Sequence, residues 1–329
     1  MKMSELHAVA HRMVEKGKGI LAADESTPTC SKRFEGINTD STAESRNFYR
    51  NMLFTTEDIE KYISGIILFD ETFHQSELSS GMKFPEYLSS KNILPGIKVD
   101  QGLEDFSPYE KLTKGLDGLS ERLGKYYAQG ARFAKWRAVI TPGDSIPTDD
   151  CILANAKNLA KYAKKCQQAN LVPIVEPEVL MDGSHTIDDS FDITSRTLNM
   201  VFDQLDENNV SLQGIVLKPN MILSGYSCSY QASIEEVAEK TVNCLSVHVP
   251  SEVPGIAFLS GGQSDEHATL HLNEMNKYDT DWNLTFSYGR ALQLSALKTW
   301  SGKTENVTDA QEAFIEKAKA NSLATVAGL

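Results

Sequence analysis

The sequence has no run of the roughly eighteen apolar residues that a membrane-spanning helix needs. Cysteine is sparse: Cys30, Cys151, Cys166, Cys228 and Cys244 are odd in number and widely spaced, with no C-x-x-C pair. That excludes a disulfide-stapled miniprotein and reads as reduced thiols in a cytosolic, hence cytoplasmic, protein. Basic residues are outnumbered, 32 Lys and Arg against 45 Asp and Glu, for a formal net charge of −13. Such a balance argues against a nucleic-acid partner, and any anionic ligand must be met by locally concentrated cations. There is no internal repeat, low-complexity segment, block of like charge or Pro- or Ser-rich linker, so one domain is expected. The opening stretch MKMSELHAVAHRMVEKGKG mixes charges with apolar residues and lacks the apolar core of a signal peptide.

What is present is an ordinary globular composition, 41% hydrophobic and 23% charged over 329 residues. That length suits two domains or one closed α/β barrel. Eight short apolar runs recur at 19–25, 64–71, 95–100, 131–140, 171–179, 213–220, 255–262 and 284–290. Nearly continuous apolar runs bordered by Gly and Pro suit parallel strands buried on both faces. Helical stretches lie between them. Capping boxes are expected at Ser41–Glu44, Ser233–Glu236 and Thr308–Gln311, and 149–169 is rich in strong helix formers. An N-terminal helix over about 2–16 and a C-terminal one over about 308–323 complete the pattern. Strands alternating with helices predict a (β/α)₈ TIM barrel. A doubly wound open sheet competes, but its G-x-G-x-x-G fingerprint is missing after the first strand.

The polar residues fall where a barrel would use them. Asp24, Lys98, Lys135, Arg137, Glu176, Glu178, Lys218, Ser260, Ser287 and Arg290 sit at or near the ends of these runs. Active sites of such barrels lie at the C-terminal ends of the strands. Lys98 with Asp100, Lys135 with Arg137 and Glu176 with Glu178 are spaced two apart, so each pair shares a strand face. Lys218 follows an apolar run and precedes Pro219. A lysine held there beside another cation has a lowered pKa and can form a Schiff base with a carbonyl; the alternative is an ion-paired lysine at the rim. Glu176 and Glu178 can move the protons of that chemistry, or simply neutralise Lys135, Arg137 and Lys218.

Ser260-Gly261-Gly262 with Arg290 offers a phosphate site near the last two strands, against the alternative of a plain Gly-Gly turn. Lys98, Arg33 and Ser26 form a second anion-binding set, so a bisphosphorylated substrate fits. His267 and His271, and likewise His7 and His11, have i, i+4 spacing. Without the glutamate of H-E-x-x-H, solvated helix histidines are expected rather than a metal site. No cofactor and no metal is called for.

Seven segments in order closely resemble class I fructose-bisphosphate aldolase. They are Ala22–Ser26, Gly96–Asp100, Phe133–Arg137, Val175–Glu178, Leu217–Met221, Leu259–Gln263 and Phe286–Leu292. The resemblance covers almost the whole chain. It implies a metal-independent (β/α)₈ barrel, a homotetramer, and cleavage of fructose 1,6-bisphosphate to dihydroxyacetone phosphate and glyceraldehyde 3-phosphate. By the same resemblance Lys218 is the Schiff-base lysine and Glu176 its acid/base, with Glu178 nearby, Lys135 tuning charge and Asp24 orienting substrate hydroxyls. Ser260, Gly261, Gly262 and Arg290 resemble ligands of the dihydroxyacetone-phosphate end, and Ser287 is a further substrate-binding candidate. Ser26, Arg33, Lys98 and Arg137 resemble those of the other phosphate. Pro28-Thr29 stands where the family more often has Gly-Ser, and Thr29 keeps a hydroxyl for that site. Animal members continue into a tail ending in tyrosine, whereas this sequence reads Ala327-Gly328-Leu329. On that basis a differently limited second half-reaction is expected. Another lysine-barrel aldolase, a metal-dependent aldolase and an idle binding scaffold are the competing readings.

Overall fold

The computed structural model describes residues 3–329. Its strands are β1 (Gly19–Ala23), β2 (Ile63–Leu68), β3 (Leu94–Lys98), β4 (Leu103–Ser107) and β5 (Glu110–Thr113), then β6 (Phe133–Ile140), β7 (Val172–Val179), β8 (Val216–Leu217), β9 (Gly255–Phe258) and β10 (Asn283–Tyr288). Eight of them close a barrel in the order β1-β2-β3-β6-β7-β8-β9-β10, each pair parallel. Helices occupy the crossovers, which makes this a (β/α)₈ barrel. Every predicted apolar run supplies one strand. The run at 213–220 is strand over Val216–Leu217 only, because a tight helical turn at Leu212–Gly214 precedes it and Pro219 follows. The ladder still reaches the next residue, since Lys218 N donates to Val175 O at 2.8 Å.

The antiparallel hairpin β4–β5, for which the sequence shows no apolar run, is inserted in the chain between β3 and β6 and forms a separate two-stranded sheet. Its strand pattern was masked by four exposed positions in succession, Leu103 to Phe106. Two helix starts also differ from expectation. Helix Ala43–Phe54 is capped by Thr42, whose hydroxyl accepts from Ser45 N while Ser45 Oγ accepts from Thr42 N. The box is therefore one residue later than Ser41–Glu44, and a hydroxyl fills the place of the glutamate. Helix Val307–Ala324 starts from Asn306 without a side-chain cap, and Gln311 instead donates to Met52 O at 2.8 Å. Helix Ile234–His248 is capped by Ser233, whose hydroxyl accepts from Glu236 N, but the Glu236 side chain accepts from Tyr230, so only half of the expected box forms.

The barrel is apolar at one end and charged at the other. Ile20, Ile67, Leu94, Phe133, Val172, Ile174, Val216 and Ala257 fill the N-terminal end of its interior. Helix Met3–Met13 closes that end by packing Leu6, Ala10 and Met13 against the same cluster. The amphipathic spacing of those three residues explains why this short helix docks there. The Phe133 ring fits only because its neighbours have no side chains: a Cβ on Gly96 would stand 2.1 Å from it. On β6 the alternation then sends Trp136 outward, where it is fully buried and stacks on Tyr162, while Lys135 and Arg137 turn inward.

Substituting Gly96→Ala forces Phe133 off its position and should destabilise the barrel by roughly 1–3 kcal/mol in urea unfolding. Adding Phe133→Leu should recover part of that loss. Equal stability of Gly96→Ala and the parent would contradict this packing.

Candidate active site

Strand ends converge on a cavity of about 870 Å³ at the C-terminal mouth of the barrel. Asp24 after β1, Lys98 of β3, Lys135 and Arg137 of β6, Glu176 and Glu178 of β7 and Lys218 after β8 all line it. The two-residue spacing of the paired charges places them on one face, as the pleat requires.

At its floor, one carboxylate meets two ammonium groups. Lys218 Nζ lies 3.2 Å from Glu176 Oε1, and Lys135 Nζ lies 3.1 Å from Glu176 Oε2. Lys135 also donates to Asp24 Oδ2 at 3.1 Å. Lys135, Glu176 and Lys218 are each no more than 5% exposed. Charges so far from water persist only when paired. The cation expected beside Lys218 is therefore present, and Glu176 joins the two.

Electrostatics follows from this pairing. Burial pushes the Asp24 carboxyl up, but Lys135, Lys218 and Lys98 outweigh it and bring it down to about 2. Glu176 is likewise lowered, with burial overcome by Lys135, Lys218 and Arg137. Lys135 moves well above an ordinary lysine, because Asp24, Glu176 and Asp100 more than offset its desolvation. All three groups are thus held in their charged forms. Glu176 Oε2 has no aligned hydrogen-bond donor despite its close ammonium contact.

Cationic groups flank this floor on two sides. On the β1–β3–β6 side, Arg33 pairs with Glu25 and Arg137 with Glu178. Lys98 Nζ lies 2.7 Å from Asp100 Oδ1, and Ser26 and Thr29 hydroxyls are 3.0 Å apart. On the β9–β10 side, Ser260, Gly261 and Ser287 line the cavity. The Ser287 hydroxyl is buried without a hydrogen-bond partner. Gly261 takes φ = 54°, a conformation glycine adopts at little cost. Arg290 stands outside the cavity wall, exposed, and donates to Gly261 O at 3.1 Å. Gly262 faces a second cavity, with the Tyr226 hydroxyl where its Cβ would be.

Some contributors were not legible. Glu25, Arg50 and Gln293 form a buried set behind Arg33; Gln293 lies on the helix Arg290–Trp300, and Arg50 on Ala43–Phe54. Arg50 and Gln293 carry no local mark, and Glu25, though it closes the first apolar run, shows no sign in the sequence that it faces Arg33. Arg122, Asp70 and Tyr126 line the outer cavity, where Tyr126 donates to Asp70 Oδ1 at 2.6 Å. The histidine reading needs correction. His271 is buried rather than solvated, with Nδ1 2.7 Å from Gln263 Oε1. Its helix face turns toward the interior, and burial with nearby His267 lowers its pKa to about 4. Among the described residues no three His, Cys, Asp or Glu side chains are grouped as metal ligands.

A closed barrel with a paired, buried lysine and carboxylates at its mouth is the framework of a lysine-dependent lyase. Comparison with known proteins gives the family. The family model for class I fructose-bisphosphate aldolase matches residues 5–328. A Xanthomonas campestris pv. campestris protein named "Probable fructose-bisphosphate aldolase class 1" is 52% identical over 330 residues, covering 99% of this chain and 98% of its own. Fructose-bisphosphate aldolase of Plasmodium falciparum is 50% identical over 326 residues, covering 98% and 88%. The same organism's aldolase, solved in complex with TRAP and a small-molecule inhibitor, superposes with a TM-score of 0.97 at 49% identity, covering 99% of this chain and 95% of that one. The chain belongs to the class I fructose-bisphosphate aldolase family.

The Asp24 shift has a consequence for acid stability. Its folded value of about 2 lies below the ordinary 3.8, so the ionised carboxylate stabilises the fold. That stabilisation is complete above about pH 4 and lost as pH falls through 2, an effect of about 2 kcal/mol. The stability gap between the parent and Asp24→Asn should therefore shrink across that window in urea titrations. A constant gap would contradict the pairing.

Proposed function

We propose that Lys218 is the nucleophile of a reversible fructose 1,6-bisphosphate cleavage that yields dihydroxyacetone phosphate and glyceraldehyde 3-phosphate. The observation that carries this is the Lys218–Glu176 contact, which sets a proton acceptor 3.2 Å from a buried amine. In its neutral form the amine adds to the C2 carbonyl of the open-chain sugar. The resulting carbinolamine loses its hydroxyl as water when Glu176 returns a proton, leaving an iminium. Asp24, adjoining this floor, orients the substrate hydroxyls and accepts the C4 hydroxyl proton. The C3–C4 electrons move into the iminium, glyceraldehyde 3-phosphate departs, and an enamine remains. Protonation at C3 and hydrolysis release dihydroxyacetone phosphate and restore the amine. Lys135 favours the ionised resting forms of Asp24 and Glu176, to which each returns after passing on its proton, and Glu178 pairs with Arg137.

Phosphates are assigned to the two flanks. Ser260, Gly261, Ser287 and Arg290 take the phosphate nearer the imine, whereas Gly262 faces the second cavity and is left out of this set. Ser26, Thr29, Arg33, Lys98 and Arg137 take the distal one, with a cavity large enough to hold both. The iminium is the electron sink, so the scheme calls on no cofactor or metal. The catalytic unit is the single barrel domain, and we assign it a homotetrameric, cytoplasmic state. The five unpaired thiols suit a reducing compartment. No helix among the described residues is long and apolar enough to cross a membrane.

Kinetics of two variants test this reading. Lys218→Met, with far-ultraviolet dichroism intact, should lose cleavage by at least about 10⁴-fold, and Glu176→Gln by about 10²–10⁴-fold. Activity of the parent should survive excess EDTA. Retention of activity by Lys218→Met, or restoration of an EDTA-treated enzyme by a divalent metal, would overturn it.

A further inference from the structure

Arg33 reaches the cavity from helix Thr27–Glu35, but a long cation on a short helix does not aim itself. Its orientation comes from Glu25. The Glu25 side chain is 7% exposed and pairs with Arg33 Nη1. The same carboxylate accepts from Gln293 Nε2 at 2.9 Å and lies 3.6 Å from Arg50 Nη2. Arg50, only 1% exposed, also donates to the Glu25 carbonyl at 2.7 Å, so it fixes both backbone and side chain. Gln293 in turn donates to Ala22 O at 2.7 Å and accepts from Tyr49 at 3.2 Å. One glutamate is thus tied to β1, to helix Ala43–Phe54 and to helix Arg290–Trp300.

The arrangement holds Arg33 without consuming it. Among the described residues Glu25 is its one side-chain hydrogen-bond partner, through Nη1 alone, while Nη2 lies near Gly289. Two guanidinium groups share a single carboxylate, so the cluster keeps one positive charge at the cavity wall. A fixed guanidinium fork with spare donors is the geometry that binds a phosphate in two places.

We infer that Glu25 is a positioning residue that aims Arg33 at the distal phosphate of the substrate. This rests on the proposed assignment of the Arg33 flank to that phosphate. The role sets specificity: it acts on substrates that carry the second phosphate, not on the imine chemistry at Lys218.

Fructose 1-phosphate, which lacks the distal phosphate, separates positioning from mere structure. Let the readout be the ratio of kcat/KM for fructose 1,6-bisphosphate to that for fructose 1-phosphate. Glu25→Gln should lower this ratio about 10-fold, chiefly through KM for the bisphosphate, and Arg33→Ala should lower it at least as much. In the Arg33→Ala background, Glu25→Gln should change the ratio less than about 2-fold, since its effect passes through Arg33. Should Glu25→Gln fail to fold with Arg50 unpaired, Glu25→Asp keeps the charge and withdraws it from Arg33. It should lower the ratio in the same direction. Equal losses on both substrates for the glutamate variants, or effects that add to those of Arg33→Ala, would overturn the inference while leaving the phosphate assignment intact. An unchanged ratio in Arg33→Ala would overturn the assignment and the inference with it.

Discussion

Everything at the barrel mouth depends on one carboxylate shared by two buried amines. Moving an ion from water into a protein interior costs several kcal/mol even after relaxation. Lys218 and Lys135 are tolerable there because Glu176 contacts both and Asp24 completes the set. The two positive and two negative charges cancel, so the cluster needs no bulk solvent. Removing any member leaves an uncompensated charge, which ties the stability of the mouth to its chemistry.

The rest of the barrel serves to hold that set in place. Parallel strands deliver side chains from β1, β6, β7 and β8 to one end, and their register fixes the spacing. Arg137 stands opposite Glu176 and Val139 opposite Glu178 across the β6–β7 ladder. At the other end an apolar plug, closed by helix Met3–Met13, keeps water from the interior. The polarity gradient along the axis is therefore a division of labour: hydrophobic burial stabilises the base, while the top spends some of that stability on charge.

Legibility in the sequence divided along a physical line. Eight strands could be read because each is buried on both faces and so forms a near-continuous apolar run. Lys135, Glu176 and Lys218 could be read because a charge next to such a run has few reasons to be there. The hairpin β4–β5 was hidden by its exposure, and the helix start at Thr42 by a serine doing a glutamate's work. Glu25, Arg50 and Gln293 were hidden for another reason. Arg50 and Gln293 sit on unremarkable helices and Glu25 in the loop after β1, and their meeting is a product of tertiary packing that no local pattern encodes. His271 was misread because the polar positions around it conceal an inward helix face.

The central claim is that the Lys218 amine becomes covalently bound to the ketone carbon of the substrate. Borohydride trapping with dihydroxyacetone phosphate in excess EDTA, followed by peptide mass mapping, tests it most directly. A reduced triose-phosphate adduct on Lys218 and on no other lysine is the expected result. A folded, active protein that yields no adduct, or one carrying it on Lys135 or Lys98, would contradict it.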